Sequence, residues 1–177
     1  ALLAQYAASV VLAPQQVGVL AEVPLATERA NWRALDGRMF SSINTRPMGK
    51  FEAWAAYDYS ANDFSGSFMS DGDGNLNMLA VGGDIKLSPH LIAGMMAGLS
   101  QNKGDYGSAS FKLNQTTGTV YVGWGDGPWY AGATLGGSNL DYSNVDRDIT
   151  LGTGTSTETG STQGYTTSGR VLGGYWF

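Results

Sequence analysis

Side chains able to do covalent or metal chemistry are few in this sequence, and they stand apart from one another. There is one histidine, His90, and no cysteine, which excludes a thiolate zinc centre, a cysteine nucleophile and any site needing two imidazoles. His90 follows Ser88-Pro89 in a turn, with no base or orienting partner in sequence reach, so it reads as a solvated side chain. Asp71-Gly-Asp73-Gly-Asn75 begins like a calcium loop, because hard cations want oxygens at alternating positions. The sixth position of that pattern, where a glycine makes the turn, is Leu76, and the twelfth, where a glutamate closes the shell, is Gly82. The segment reads as an external loop. Asp146 and Asp148 flank Arg147 as a solvated charge run, and Asn114-Gln115-Thr116 spells a glycosylation acceptor that means little inside a strand. No cofactor and no metal are expected.

What remains is charge that can pair. Arg29, Arg33 and Arg38 lie on one segment, while Glu52, Asp58 and Asp84 lie on two others. Whether these meet or stay solvated depends on the elements that carry them. The chain has 177 residues, of which 42% are hydrophobic and only 14% charged, against about 25% charged in an average soluble domain. One domain fits that length, and a solvent other than water is implied for much of the surface. The net charge of −5 comes with no Lys/Arg run, which argues against nucleic acid as a partner. The chain begins at Ala1 with no visible leader, reading as a processed chain or a piece of one.

Residues 1–48 are rich in alanine, leucine, valine and glutamine and read as helical. Pro24 and Thr27 offer a helix start, and Trp32, Leu35, Met39 and Ile43 then recur on one face while Arg29, Arg33 and Asp36 lie on another. Arg46-Pro47-Met48-Gly49 breaks this helix near Asn44. From Gly49 the period becomes two: Phe51, Ala53, Ala55, Tyr57 and Tyr59 share one face, with Glu52, Trp54 and Asp58 on the other. Five further strands follow near 75–88, 91–102, 109–125, 128–142 and 163–177. The phase of the fourth is open, since Thr119 and Tyr121 compete with Val120 and Val122.

Tight turns at Ser88-Pro89-His90 and Asp126-Gly127-Pro128 alternate with stretches at 63–74, 102–108 and 143–162 that read as long polar loops. Long strands joined alternately by short turns and long loops make the pattern of an antiparallel outer-membrane β-barrel, short turns on the periplasmic side. Tyr57, Tyr59, Tyr106, Tyr121, Trp129, Tyr130, Tyr142, Tyr165, Tyr175 and Phe177 then fall toward strand ends, where aromatic girdles sit. A soluble sandwich is the competing fold, with shorter strands and no reason to alternate.

Two stretches resemble a known family. Ala1-Leu-Leu-Ala-Gln-Tyr-Ala-Ala-Ser-Val-Val-Leu-Ala-Pro-Gln-Gln-Val17 is similar to the last helix of a GDSL-type hydrolase passenger. Trp32-Arg-Ala-Leu-Asp-Gly-Arg-Met39, Gly49-Lys-Phe-Glu-Ala-Trp-Ala-Ala-Tyr57 and Gly82-Gly-Asp-Ile-Lys-Leu87 resemble the linker helix and first strands of the translocator in bacterial autotransporters of the GDSL-type lipase/esterase group. The nucleophile motif Gly-Asp-Ser-Leu is absent, and no Asp-x-x-His lies near His90, so the esterase chemistry is not in this chain.

The resemblance implies an all-β antiparallel barrel in the outer membrane, or a six-to-eight-strand part of one, with a helix running through its lumen. It divides the chain into 1–23, the end of passenger and linker; 24–48, the lumen helix; and 49–177, the barrel strands. Eight strands are expected if 143–162 hides a hairpin. Arg29, Arg33 and Arg38 are expected to meet Glu52, Asp58 and Asp84 inside the lumen, and Tyr175 with Phe177 resembles a C-terminal aromatic signal. The implied partners are outer-membrane lipid, a covalently linked passenger and the barrel assembly machinery. Two other readings stand beside export and display: a complete small barrel with an adhesin-like or structural role, and an esterase or lipase parent of which this is the non-catalytic part.

Overall fold

The computed structural model describes residues 13–45, 47–66, 69–106, 109–151 and 154–176. One helix, α1 (Ala13–Thr45), precedes six strands: β1 (Phe51–Gly66), β2 (Met69–Ser88), β3 (Leu91–Tyr106), β4 (Ala109–Asp126), β5 (Trp129–Leu151) and β6 (Gly154–Tyr175). The strands pair antiparallel in sequence order, β1 to β6, as one continuous meander. β1 and β6 are its edges. The sheet curls around α1, which packs against β2, β3, β4 and β5. This is an antiparallel partial β-barrel holding a helix on its concave face.

Alternation explains the curl. In β2, Leu76, Met78, Ala80, Asp84 and Lys86 are buried toward α1 while Leu79, Val81, Ile85 and Leu87 are exposed on the convex face. The phase left open for β4 is settled the same way: Thr119 and Tyr121 are buried on the concave side, and Val120, Val122 and Trp124 point out. The convex face thus carries an apolar belt with no element packed on it among the described residues, as a bilayer requires.

Three expectations need correction. The helix begins at Ala13, and Pro24 lies within it. Proline removes one backbone donor, but the Ala/Val/Leu/Gln-rich run before it continues the helix, and Pro24 is itself buried. Secondly, the stretches read as long loops are mostly strand. β1 runs to Gly66 and β2 restarts at Met69; β3 runs to Tyr106 and β4 restarts at Ala109; β5 runs to Leu151 and β6 restarts at Gly154. Segment 143–162 therefore lengthens the β5–β6 hairpin and adds no strand, and Asp71 to Asn75 belong to β2. Polar composition misled here because strands that rise beyond the apolar belt meet water on both faces. Thirdly, Tyr121, Tyr130 and Tyr142 point into the concave side and are not girdle residues; Tyr121 and Tyr142 are buried. Tyr57, Tyr59, Trp129, Tyr165 and Tyr175 are exposed on the convex side. The side chain of Tyr106, all of Phe177 and residues 1–12 lie outside the described residues.

Candidate functional site

The site is the seat of α1. Val23, Thr27, Asn31, Leu35, Met39 and Ile43 recur at every fourth position and all are buried. At about 100° per residue, that spacing winds the contact stripe slowly around the helix, so its two ends meet different strands. Val23 packs with Phe111, Leu113, Leu140 and Tyr142 at one end. Leu35, Met39 and Ile43 pack with Leu76, Met78, Ile92, Met96 and Tyr121 at the other.

Polar groups fill the level between the two apolar clusters. Asn102 Nδ2 donates to Thr27 Oγ1 at 2.9 Å. Glu28 is buried and accepts at Oε1 from Ser138 Oγ (3.0 Å) and Gln115 Nε2 (3.4 Å), and at Oε2 from Ser168 Oγ (3.0 Å). Hydroxyl and amide donors from three strands thus surround one helix carboxylate, which satisfies a group that would otherwise be costly to bury.

The charged residues lie lower. Arg38 reaches two carboxylates, Nε to Asp84 Oδ2 at 2.9 Å and Nη2 to Glu52 Oε2 at 2.5 Å. Asp84 has no exposed side-chain surface, and its Oδ2 also accepts from Tyr121 Oη at 2.7 Å. Trp54 Nε1 donates to the same hydroxyl at 3.0 Å. Arg33 Nη2 meets Asp58 Oδ2 at 3.1 Å in a more exposed pair. Arg29 is exposed and has no acidic partner among the described residues. Of the six charged residues singled out in the sequence, the structure therefore groups Arg33, Arg38, Glu52, Asp58 and Asp84, and leaves Arg29 out.

Several contact residues escaped that reading. Arg170 of β6 binds Asp36 of α1, with its guanidinium 5.3 Å from the Trp32 ring. Glu28 is one residue from Arg29 and carries no sequence mark that separates a buried carboxylate from an exposed cation; only a helix phase fixed by the whole stripe does so. Lys86 of β2 carries a role that its sequence position does not mark: Nζ donates to the Ile43 carbonyl at 2.5 Å, in the last turn of α1. A cation there satisfies an orphan carbonyl and opposes the helix dipole. Lys86→Met is expected to cost about 1–2 kcal/mol, read as a lower temperature for loss of the compact, heat-modifiable band in detergent electrophoresis; an unchanged temperature refutes the cap.

Phe40 and Tyr130 meet edge to face at 4.7 Å, and Trp176 lies 5.2 Å from Tyr130, closing the turn end of the seat. His90 Nδ1 donates to the Gly125 carbonyl, 3.0 Å away, and so tethers one tight turn to the next. No cluster of metal-ligating side chains occurs among the described residues. The arrangement holds a helix.

Comparison with known proteins follows the same lines. A family profile described as autotransporter beta-domain matches residues 53–177, the strands from β1 onward. Esterase EstA of Pseudomonas aeruginosa is 29% identical over 168 residues, covering 93% of this chain and 26% of that protein. Esterase EstA of Pseudomonas putida gives the same figures. An uncharacterized protein in the trpE-trpG intergenic region of Pseudomonas putida is 27% identical over 175 residues, 96% of this chain and 29% of its own length. The chain thus spans about a quarter of the length of these relatives. With most of its length matched and its strands arranged as a curled antiparallel sheet about a helix, the chain belongs to the autotransporter β-domain family.

Proposed function

We propose that this chain works as the translocator of a longer polypeptide whose linked passenger is a hydrolase of the kind named in the EstA relatives. Members of the family are outer-membrane β-barrels and carry a linked passenger; the β-domain itself is not catalytic. The observation that supports the reading best is the continuity from α1 to β1. The helix is fixed along its length by Glu28, Arg38 and the Lys86 cap, and β1 starts six residues after it ends, with Gly49 N–H on the Lys86 carbonyl at 2.9 Å. A passenger ahead of α1 is thereby threaded along the concave face, with its exit at the end opposite the tight turns. In this reading 1–23 ends the passenger and linker, 24–48 is the lumen helix and 49–177 forms the barrel. Arg33, Arg38, Glu52, Asp58 and Asp84 act as the retaining contacts, and the Pro89–His90 and Gly127–Pro128 turns face the periplasm.

Two edges also bear on the function. Lipid offers no hydrogen bonds, so β1 and β6 need partner strands to stand in a bilayer. Six strands with separate edges favour part of a larger barrel over a complete small adhesin-like one. The barrel assembly machinery is the reading's transient partner for such edges.

The test is export. In the full-length protein, an epitope placed ahead of residue 1 is expected to be cut by protease added to intact cells, while residues 13–177 expressed alone hydrolyse no short-chain p-nitrophenyl ester. An epitope that stays protected refutes the translocator, and ester hydrolysis by the isolated segment refutes its non-catalytic role.

A further inference from the structure

The convex face is banded by register, because residues opposite one another in an antiparallel ladder share a face. Its apolar belt runs along β3 as Leu91, Ala93, Met95, Ala97 and Leu99, while Ile92, Met96, Ser100 and Asn102 turn inward. Past Leu99 the face changes character. The next row carries Asn77, Gln101 and Asn114, opposite one another across β2, β3 and β4, and continues on β5 with exposed Asp141 opposite Asn114. Their amides engage within the face: Tyr57 Oη donates to Asn77 Oδ1 at 3.0 Å, and Gln101 Nε2 to Asn114 Oδ1 at 3.1 Å.

One row farther stand Lys103 and Lys112, directly opposite across β3 and β4. Like charges so placed repel, with Cβ atoms only about 4.5–5.5 Å apart. Neither ammonium makes an ion pair or hydrogen bond among the described residues. Beyond them Asp73 faces Asp105, both exposed, which bars an anion from lying farther out. Lys103 is four residues past Leu99, roughly 13 Å along a strand rising about 3.3 Å per residue, and a tilt near 40° makes that about 10 Å of height above the last aliphatic row. That is headgroup depth in a bilayer.

We propose that Lys103 and Lys112 seat a phosphate of an outer-leaflet phosphoglycolipid, with its sugar on the Asn77, Gln101 and Asn114 row and its acyl chains on the belt. Two facing ammonium groups that make no ion pair among the described residues suit one phosphate, which lysine recognises as a point charge. The amide row supplies hydroxyl-matching groups between acyl chain and phosphate, a spacer that glycerophospholipids lack. The proposal rests on the orientation given under Proposed function.

The test uses full-length protein in phosphatidylcholine nanodiscs, with retained lipid counted by native mass spectrometry. Diphosphoryl lipid A is expected to bind at least tenfold more tightly than its dephosphorylated form. Lys103→Gln/Lys112→Gln is expected to abolish that preference, with Lys103→Gln alone giving a smaller loss. A double variant that retains lipid A as the parent does overturns the site, and so does phosphatidylglycerol or inorganic phosphate binding as tightly as lipid A. Orientation is read separately on intact cells with an impermeant maleimide, using the contrast between Ser110→Cys, expected to label, and Asp126→Cys, expected not to. Labelling of Asp126→Cys alone overturns the outer-leaflet assignment, while lipid A selectivity in nanodiscs still reports on the lysine seat.

Discussion

Arg38→Ala is expected to destabilise the folded chain by about 3–5 kcal/mol, the range for removing one partner of a buried ion pair. Arg38 Nε bonds Asp84 Oδ2 at 2.9 Å, and Asp84 has no exposed side-chain surface. Without the guanidinium, Asp84 keeps Tyr121 Oη, which stabilises a carboxylate far less than a charged donor at 2.9 Å does. Glu52 loses its bond to Arg38 as well, but at nearly half exposure its side chain meets water at little cost. The pair can be isolated by a double-mutant cycle in urea with detergent-solubilised protein. Arg38→Ala/Asp84→Asn is expected to cost less than the sum of the single changes by about 1.5–3 kcal/mol. Additive effects mean that Arg38 and Asp84 are not coupled and that their pair does not hold α1. Arg33→Ala serves as the contrast. Its side chain is 59% exposed, so an effect below about 1 kcal/mol is expected.

Much of this arrangement was legible because strand period and charge type are local properties. The alternation Phe51, Ala53, Ala55, Tyr57 against Glu52, Trp54, Asp58 fixed which side of β1 faces the helix, and it did so before any partner was known. Arg33, Arg38 and their three carboxylates could be chosen on that basis, since charges on the concave side of such a sheet have only the helix to meet. What could not be read was anything set by register between elements. Tyr121 sits in a stretch where both faces carry plausible lipid-facing residues, and only its pairing opposite Gly94 places its hydroxyl on Asp84. Asp36 and Arg170 are 134 residues apart, a separation that no spacing rule spans. The external ends of the strands were missed for a different reason: Ser, Thr, Asn and Gly mark loops where one face of a sheet is buried, and that signal disappears once a hairpin projects into water. The same rule hid where Pro24 falls, because the helix there is set by the packing of Val23 and Thr27 on either side and not by its own start signal.

The register that hid Tyr121 makes a glycine indispensable. A Cβ on Gly94 would lie 2.6 Å from Tyr121 Cζ, 2.6 Å from Asp84 Cβ and 2.7 Å from the Gly83 carbonyl oxygen. The first of these can swing away, but the last is backbone held in the β2–β3 ladder, so even alanine forces the two strands apart. Gly94→Val is therefore expected to lose the heat-modifiable folded form, because it displaces the Tyr121 ring and strips Asp84 of a hydrogen bond together. Overpacking of this kind costs about 1–3 kcal/mol or more, added here to the loss of a donor from a buried carboxylate. Tyr121→Phe separates the two contributions: it keeps the ring over Gly94 and removes only the hydroxyl, for an expected cost of about 1–2 kcal/mol. Gly118→Val is the control, since a Cβ there meets nothing within 4 Å and faces the convex side. If Gly94→Val folds and unfolds like Gly118→Val, the ring does not rest in the glycine gap and the Tyr121 hydroxyl is not what fixes Asp84. If it fails while Tyr121→Phe survives, the empty volume at Gly94 is what lets helix, ring and carboxylate occupy one level of the barrel.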